Sequence, residues 1–507
     1  MFTKGTKIHL VGIKGVGMTA LAAILQSRGC IVTGSDTEQE FFTDAVLARL
    51  RIPVAKGFSV NNVKPNVNYV ISSAAYFFKG KAVNDNADIR GSLKRKIVVM
   101  TYPQAIGQLA PEYKVIAVAG SHGKSTTTAL LGWILESAGL DPTVMVGTEV
   151  KKWKANARVS VHAYGSNAHD KALLVVEADE YREAFLNYQP FGAIITSVDY
   201  DHPDYFKTRS SYEAAFRHLI DNIDAKGWLV ACGGDPTMRK LLAYAKKQKI
   251  RTISYGFSKS NDVQVSDWGI ALPERGRGGL GSRVPQQMFH IVFHPSASLR
   301  AGGLKMFAGK PQYQSRPATR YGASQNEWKA KISFPGQQYI LNSGAAFIAA
   351  LQLGAKPADC IKAIAKFPGT TRRLEIIKKK PGIVIDDYAH HPTAIRVTLN
   401  GIRRMYSEKK IVVVFQPHMY SRTAALLDAF ARSFSDADVV GITEIFASAR
   451  ESSGPVSGKD LATRAKKYHH NLTYIKDAAA GKKFVKRFAK SGNVVVLMGA
   501  GDVYKLA

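Results

Sequence analysis

Lys114-Val-Ile-Ala-Val-Ala119 is a short apolar run. It leads directly into Gly120-Ser-His-Gly-Lys-Ser-Thr-Thr127, and a helical pattern continues over Thr126–Ser137. A buried strand that ends in a glycine turn and opens a helix is the repeating unit of a parallel sheet with helices on both faces. The turn also has a chemistry. Glycines let backbone N–H groups converge on an anion at the helix N-terminus, a lysine there reaches a terminal phosphate, and a following hydroxyl can ligate Mg²⁺. Gly120, Ser121, His122, Gly123, Lys124, Ser125 and Thr126 are therefore candidate phosphate-binding residues. Val118 stands where the common phosphate loop has its first glycine, so the loop is shortened.

The same strand-and-helix rhythm occurs twice more. Upstream, strands are expected at Ile8–Ile13, Cys30–Gly34, Asn68–Ser72 and Lys96–Met100, with a helix at Met18–Arg28. Downstream, strands are expected at Gly382–Ile385, Lys410–Phe415, Val439–Thr443 and Asn493–Leu497, with a helix at Ala424–Phe434. Ala172–Val176 and Ala193–Thr196 extend the middle sheet. The 507 residues suit about three domains, expected at 1–113, 114–368 and 369–507. Residues 271–331, rich in glycine and proline, read as an irregular and partly mobile insertion on the edge of the second. No repeat of solenoid period is present.

The chain carries 70 Lys and Arg against 39 Asp and Glu, a net charge of +31. Such a field favours anionic partners. The excess is scattered, without the dense stripe and interleaved aromatics of a nucleic-acid face, so a nucleic-acid partner is not expected. Three cysteines cannot build a disulfide framework and fit a reducing compartment. No apolar run reaches the ~18 residues of a membrane span. A cytoplasmic protein is expected.

Five further motifs end predicted strands. Gly12-Ile-Lys-Gly15-Val-Gly17 opens a helix but carries Lys14 where the strict dinucleotide pattern wants glycine, and Asp36 ends the next strand, where it can take a ribose. Glu177-Ala-Asp-Glu180 and Asp199-Tyr-Asp-His202-Pro-Asp204 place acids and one imidazole where open α/β sheets bind ligands, and beside a phosphate they would hold Mg²⁺. Asp386-Asp387-Tyr388-Ala389-His390-His391-Pro392-Thr393 and Phe415-Gln-Pro-His-Met-Tyr-Ser-Arg422-Thr423 suit an anionic second substrate.

In this order these motifs resemble the Mur ligase family, the ATP-dependent amide-bond synthetases of peptidoglycan assembly. Ser72-Ser73-Ala74, Asn156-Ala-Arg158, Tyr255-Gly-Phe-Ser258, Thr370-Thr-Arg-Arg373 and Met498-Gly-Ala-Gly-Asp502 carry the resemblance nearly end to end. It implies a Rossmann-like N-terminal domain, a central phosphate-loop ATPase and a Rossmann-like C-terminal domain. It implies UDP-N-acetylmuramate, L-alanine and ATP as reactants, Mg²⁺ as cofactor, and an acyl-phosphate intermediate. By resemblance, Gly12, Gly15, Gly17, Asp36, Ser72, Ser73 and Arg158 hold the UDP-sugar. Gly120 through Thr126, with Arg372, Arg373 and Asp387, hold ATP. Ser125, Glu177 and His202 hold metal, Tyr388, His390 and Arg422 receive the amino acid, and Lys124, Glu177, His202 and His390 act in catalysis.

The chain departs from the family pattern at Lys14, Ser197, Gln338-Tyr339 and Met419. The last stands where the family has an arginine for the amino-acid carboxylate. Tyr181 and the Tyr-Ala-His-His form of 388–391 lean towards members that join a preformed peptide, while Gln416-Pro-His418 and Arg422 lean back towards alanine. A nucleotide-binding homologue without catalysis is the remaining alternative.

Overall fold

The computed structural model describes residues 1–77, 86–161, 171–203, 205–271, 285–294, 327–447 and 451–507. Three sheets follow one another along the chain. The first joins β1 (Lys7–Val11), β2 (Ile31–Asp36), β3 (Val54–Lys56), β4 (Tyr69–Ser72) and β5 (Val98–Thr101) in the order β3-β2-β1-β4-β5, all parallel. The glycine turn after β1 opens helix α1 (Val16–Ser27), and α2 (Tyr102–Leu109) follows β5.

The second sheet has ten strands. They are β6 (Tyr113–Ala119), β7 (Thr143–Val150), β8 (Ala155–Arg158), β9 (Ala172–Glu177), β10 (Gly192–Ile195), β11 (Trp228–Cys232), β12 (Arg251–Gly256), β13 (Val263–Ala271), β14 (Gln286–Phe293) and β15 (Glu327–Ile332), in the order β15-β14-β13-β12-β11-β10-β6-β9-β7-β8. β6 lies in its parallel middle. Ile116 through Ala119 are wholly buried there, and each large aliphatic side chain so buried contributes about 1.5–3 kcal/mol. Helices α3 (Lys124–Ser137) and α4 (Gln337–Gln352) cover one face. Asp199 and His202 lie in the loop after β10.

The third sheet joins β16 (Glu375–Lys378), β17 (Ile383–Asp387), β18 (Lys410–Phe415), β19 (Val439–Thr443), β20 (Leu472–Ile475) and β21 (Asn493–Met498) in the order β16-β17-β21-β18-β19-β20. It is parallel except at β16. Helix α5 (Pro392–Met405) follows β17, and α6 (Tyr420–Ala425) and α7 (Leu427–Ala431) follow β18.

Three expectations change. The segment read as irregular contributes two antiparallel strands: β14 pairs with β13 and with β15. Its alternation is plain once burial is known, with Gln287, Phe289, Ile291 and Phe293 facing in. The Phe293 ring meets Trp328 of β15 at 5.3 Å. The rest of that segment lies outside the described residues. The middle sheet is also mixed rather than parallel throughout, because β8 pairs antiparallel with β7 at the opposite edge. Finally, the helix expected over Ala424–Phe434 is two short helices that meet at Leu426, where the backbone leaves the helical region at φ −116° and ψ 20°.

Candidate active site

The turn after β6 is built as glycine chemistry requires. Gly120 (φ +128°) lies so close to β10 that a Cβ there would meet Thr196 Oγ1 at 2.3 Å, and one on Gly123 (φ +84°) would meet Asn342 Oδ1 of α4 at 2.6 Å. Gly123 is also the N-cap of α3 and offers no side chain to the first turn. The first N–H groups of a helix have no intrahelical partner, so this end presents donors and positive dipole to an anion. That cradle fits phosphate.

Lys124 reaches out of the turn. Its Nζ donates to Glu180 Oε2 at 2.7 Å and Oε1 at 3.0 Å, and to the Gly120 carbonyl at 2.6 Å. Burial works against both charges, yet the pair prevails. The Lys124 pKa stays above its ordinary value, against burial, through the charges of Glu180 and Asp179. Glu180 falls to about 2, against burial, chiefly through Lys124 and then His202.

Ser125 and Glu177 do meet. The Ser125 hydroxyl donates to Glu177 Oε1 at 2.8 Å, and the Gly147 N–H donates to Oε2 at 2.5 Å. A Cβ on Gly147 would run into that carboxylate at 2.7 Å, so β7 needs glycine there. His202 lies instead with Asp179 and Glu180: one ligand atom from each falls within 4.8 Å of the others. Its imidazole is held above its usual pKa because the Glu180 hydrogen bond and the Asp201 charge outweigh burial. Two donor sets thus flank Lys124, Ser125–Glu177 on one side and Asp179–Glu180–His202 on the other. Carboxylates and a hydroxyl with a single imidazole suit a hard divalent cation. Sequence reading joined His202 to Glu177. Glu180 belongs to the acidic run given the Mg²⁺ reading but is not among the individually named ligands, and Asp204 lies outside the described residues.

The third sheet supplies the opposite wall of a cavity of about 460 Å³, lined by the 121–126 turn, Asn342, Arg373, Asp387, Tyr388, His390, His391 and Arg422. The two neighbouring arginines divide their work. Arg373 lines the cavity, its guanidinium 5.0 Å from the Tyr388 ring. Arg372 turns away at φ +57° and donates to Asp386 Oδ2 at 3.1 Å and to the carbonyls of Gly499 at 2.6 Å and Ala500 at 3.3 Å. It ties the closing glycine segment to β17 and is not among the cavity-lining residues. Asp387 accepts from the Leu374 and Ala389 N–H groups at 2.8 and 2.9 Å.

Arg422, on α6, donates through Nε and Nη2 to Asp201 Oδ1 at 3.3 and 3.1 Å, 221 residues away. Both side chains are buried. Burial raises the Asp201 pKa, but Arg422 reverses this and holds the carboxylate far below its usual range. The Nη1 donors of Arg422 stay uncommitted among the described residues. His390 is neutral beside this pair, its pKa lowered by burial and then by the Arg422 charge, and its Nδ1 lies 2.9 Å from the Tyr388 carbonyl. Met419, at the start of α6, is buried and takes a positive φ of 70°. Nothing in the sequence signals the Asp201–Arg422 contact.

At the N-terminal sheet, Gly15, Gly17 and Ser73 line a second cavity of about 430 Å³ that runs to Lys124, Gly147, Glu177 and Asp179. Gly12 (φ +78°) accommodates the Tyr76 ring, which a Cβ would meet at 2.7 Å. Asp36 is already engaged. Its Oδ2 accepts from the Lys14 N–H at 2.7 Å and its Oδ1 from the Thr37 N–H at 2.8 Å, so it closes the turn. Lys14 is buried, with Nζ at 2.9 Å from the Gln39 carbonyl and 3.0 Å from Asp44 Oδ1. Ser72 is wholly buried at the end of β4. Arg158 is not among the residues lining either cavity: it pairs with Glu136 in the last turn of α3 at 3.2 Å and with Asp141 just beyond it at 2.5 Å. Asn156, two residues before it, is the one that reaches the N-terminal unit, donating to the Val16 carbonyl at the start of α1 at 2.5 Å.

His391 gives a pH test of this geometry. Its Nδ1 accepts from the Thr393 N–H at 3.3 Å and caps α5, a role open only to the unprotonated nitrogen. Burial, then the His122 charge, lowers its pKa from 6.5 to about 4. Between those values the unfolded chain holds the extra proton, so the stability that neutral His391 provides is complete above pH 6.5 and is lost as pH falls through about 4. His391→Asn keeps a capping side chain and removes the titration. Relative to this variant, wild type is expected to lose ~3 kcal/mol between pH 7 and pH 4. Denaturant titrations at several pH values read the difference, and parallel curves would contradict it.

A glycine cradle with a lysine, flanking carboxylates and a facing arginine has the chemistry of a nucleotide-dependent group-transfer site. Three family models match in chain order: the Mur ligase family catalytic domain over residues 7–114, the Mur ligase middle domain over 118–277, and the Mur ligase glutamate ligase domain over 372–501. The chain belongs to the Mur ligase family. It is 35% identical to the UDP-N-acetylmuramate–L-alanine ligase of Desulfitobacterium hafniense, covering 98% of each chain. It is 35% identical to the enzyme of that name from Treponema pallidum, covering 99% of this chain and 95% of that one. Among solved structures it is similar to a UDP-N-acetylmuramate–alanine ligase from Thermotoga maritima, with TM-score 0.73 and 25% identity over 99% of this chain and 97% of that one. A murein peptide ligase from Psychrobacter arcticus shares the fold, with TM-score 0.65 at 22% identity over 99% and 97%.

Proposed function

We propose that this protein joins L-alanine to the lactyl carboxylate of UDP-N-acetylmuramate at the expense of ATP, in cytoplasmic peptidoglycan precursor synthesis. The observation that carries the reading is the position of Lys124, which lines both cavities and so stands where a nucleotide held by the 120–126 turn meets a substrate held by the N-terminal glycine turn. The full-length similarity to the Desulfitobacterium and Treponema enzymes supports the choice of substrates. We take the working units as 1–113 for the UDP-sugar, 114–368 for ATP and 369–507 for the amino acid.

A carboxylate is a poor acceptor for an amine because oxide would have to leave. Transfer of the γ-phosphoryl of ATP to a carboxylate oxygen gives an acyl phosphate and ADP, and the amine then displaces phosphate through a tetrahedral intermediate. Lys124 neutralises the charge that develops as the phosphoryl moves, and the cradle aligns the reactants. Arg373 and Asp387 reach the nucleotide from the facing wall. Arg422, steadied by Asp201, offers its Nη1 donors to the amino-acid carboxylate, with Tyr388 beside it. Neutral His390 can accept the proton the amine loses. Ser125 with Glu177, and Glu180 with His202 and Asp179, would hold Mg²⁺. When bound, Mg²⁺ supplies charge neutralisation at the phosphates. No described helix is long and apolar enough to cross a membrane, and the three cysteines are free and buried, as suits a reducing compartment.

Phosphate release is measured with ATP, UDP-N-acetylmuramate and, in turn, L-alanine, glycine, L-serine and a murein tripeptide. Release is expected with L-alanine above the others and is expected to stop on chelation by EDTA. Release with tripeptide alone would move the reading to peptide recycling, and release with none would overturn it.

A further inference from the structure

Tyr102, the first residue of α2, has no role in the chemistry above, yet it lines the smaller cavity together with Gly17 and Lys124. Its ring rests on Gly17. A Cβ there would meet the Tyr102 Cζ at 2.8 Å and the hydroxyl oxygen at 3.0 Å, so the missing side chain at 17 is what lets the phenol sit at the start of α1. The hydroxyl makes no hydrogen bond among the described residues. Burial, followed by the charges of Glu177 and Asp179, pushes its pKa well above the ordinary tyrosine value, so the group stays a donor at neutral pH.

The cavity is short of such donors. Of its lining side chains only Ser73, Tyr102 and Lys124 can donate, whereas Glu177 and Asp179 present negative charge. Ser73 accepts from the Ala75 N–H at 3.3 Å and keeps its own hydroxyl proton to donate, while Lys124 is paired with Glu180. A sugar nucleotide with its diphosphate at the α1 N-terminus and its carboxylate near Lys124 passes the phenol on the way. The cation that Glu177 and Asp179 would hold offsets their repulsion of that carboxylate, and the phenol adds a neutral donor beside it.

We propose that the Tyr102 hydroxyl donates a hydrogen bond to the lactyl carboxylate of the sugar nucleotide and so distinguishes the muramate from sugar nucleotides that lack the acid. The proposal rests on the ligase reading. Tyr102 is thereby a substrate-contacting specificity residue. Tyr102→Phe removes the hydroxyl and keeps the ring that packs on Gly17.

The test is calorimetric binding of UDP-N-acetylmuramate and of UDP-N-acetylglucosamine, which has no lactyl group, to the full-length wild type and to Y102F. A hydrogen bond to a charged group corresponds to about 10- to 150-fold in affinity. Y102F is expected to lose at least about 10-fold for the muramate and less than about 2-fold for the glucosamine, with the KM for ATP unchanged. Equal losses for both sugars would show that the ring position was disturbed and would overturn the proposal, as would no loss for either. Failure of the wild type to bind either sugar nucleotide would instead overturn the ligase reading, which keeps the two failures apart.

Discussion

Lys124→Met turns over at no more than about a hundredth of the wild-type rate, while the protein still binds UDP-N-acetylmuramate. The magnitude follows from where the charge lies. Removal of one preorganised group that stabilises transition-state charge in a water-poor site costs ~10²–10³ in kcat. The lysine is mostly buried and stands at the junction of the two cavities. Its ion pair with Glu180 at 2.7 Å keeps both groups charged. Methionine is close to isosteric, so the cradle of glycines is left as it is. It also takes the nearer cation from the Glu180 carboxylate, which is 1% exposed and keeps His202 at 3.6 Å and the Tyr212 hydroxyl at 3.4 Å, and a buried charge that loses a partner is itself costly. Lys124→Met/Glu180→Gln reads the cost of the carboxylate through stability, and Glu180→Gln alone gives the rate lost with that donor to Mg²⁺. If the loss of rate comes from charge at the phosphoryl group, the double variant regains stability and not rate. Single-turnover formation of ADP reads the chemical step, and more than about a tenth of wild-type activity in the single variant would contradict an ATP-driven mechanism at this lysine.

The sequence was most legible where local physics decides structure. The 114–127 segment could only be strand, glycine turn and helix, and the turn is found with its glycines at positive φ and neighbours too close for a Cβ. Legibility failed where the decision lay elsewhere in the chain. Strand β14 carries Met288, His290 and Val292 between its inward residues, and its alternation has meaning only beside β13 and β15. Arg372 and Arg373 are neighbours of one type, and the positive φ of Arg372 sends one to the Gly499 carbonyl and leaves the other at the cavity. Glu177 and Glu180 belong to one acidic run. Which of them meets Ser125 depends on Gly147, a residue with no signal of its own. Arg158 was placed by resemblance alone, and local partners at Glu136 and Asp141 claim it.

The longest-range of these contacts carries the second large effect. Asp201 and Arg422 are 6% and 5% exposed, and they join the loop after β10 to the start of α6. Two charges withdrawn from water in this way gain little over a well-packed apolar pair, but removal of one alone leaves the other buried without a counter-charge, at a cost of ~3–5 kcal/mol. The sheets on either side have separate strand sets but share one buried apolar core, so the loss in Asp201→Ala falls on the coupling between them, against that packing. A change of that size moves the docking equilibrium by roughly two to three and a half orders of magnitude. Calorimetry is expected to show the transition of the C-terminal unit separating from the rest, and small-angle scattering an increase in the radius of gyration. Asp201→Leu/Arg422→Met, which replaces both charges with apolar groups, is expected to restore most of the coupling. It is not expected to restore activity, because Met419 leaves Arg422 as the one cation among the residues of α6 and its N-cap to hold an amino-acid carboxylate. Scattering and calorimetric profiles of Asp201→Ala that overlay those of the wild type would refute the role given to the pair.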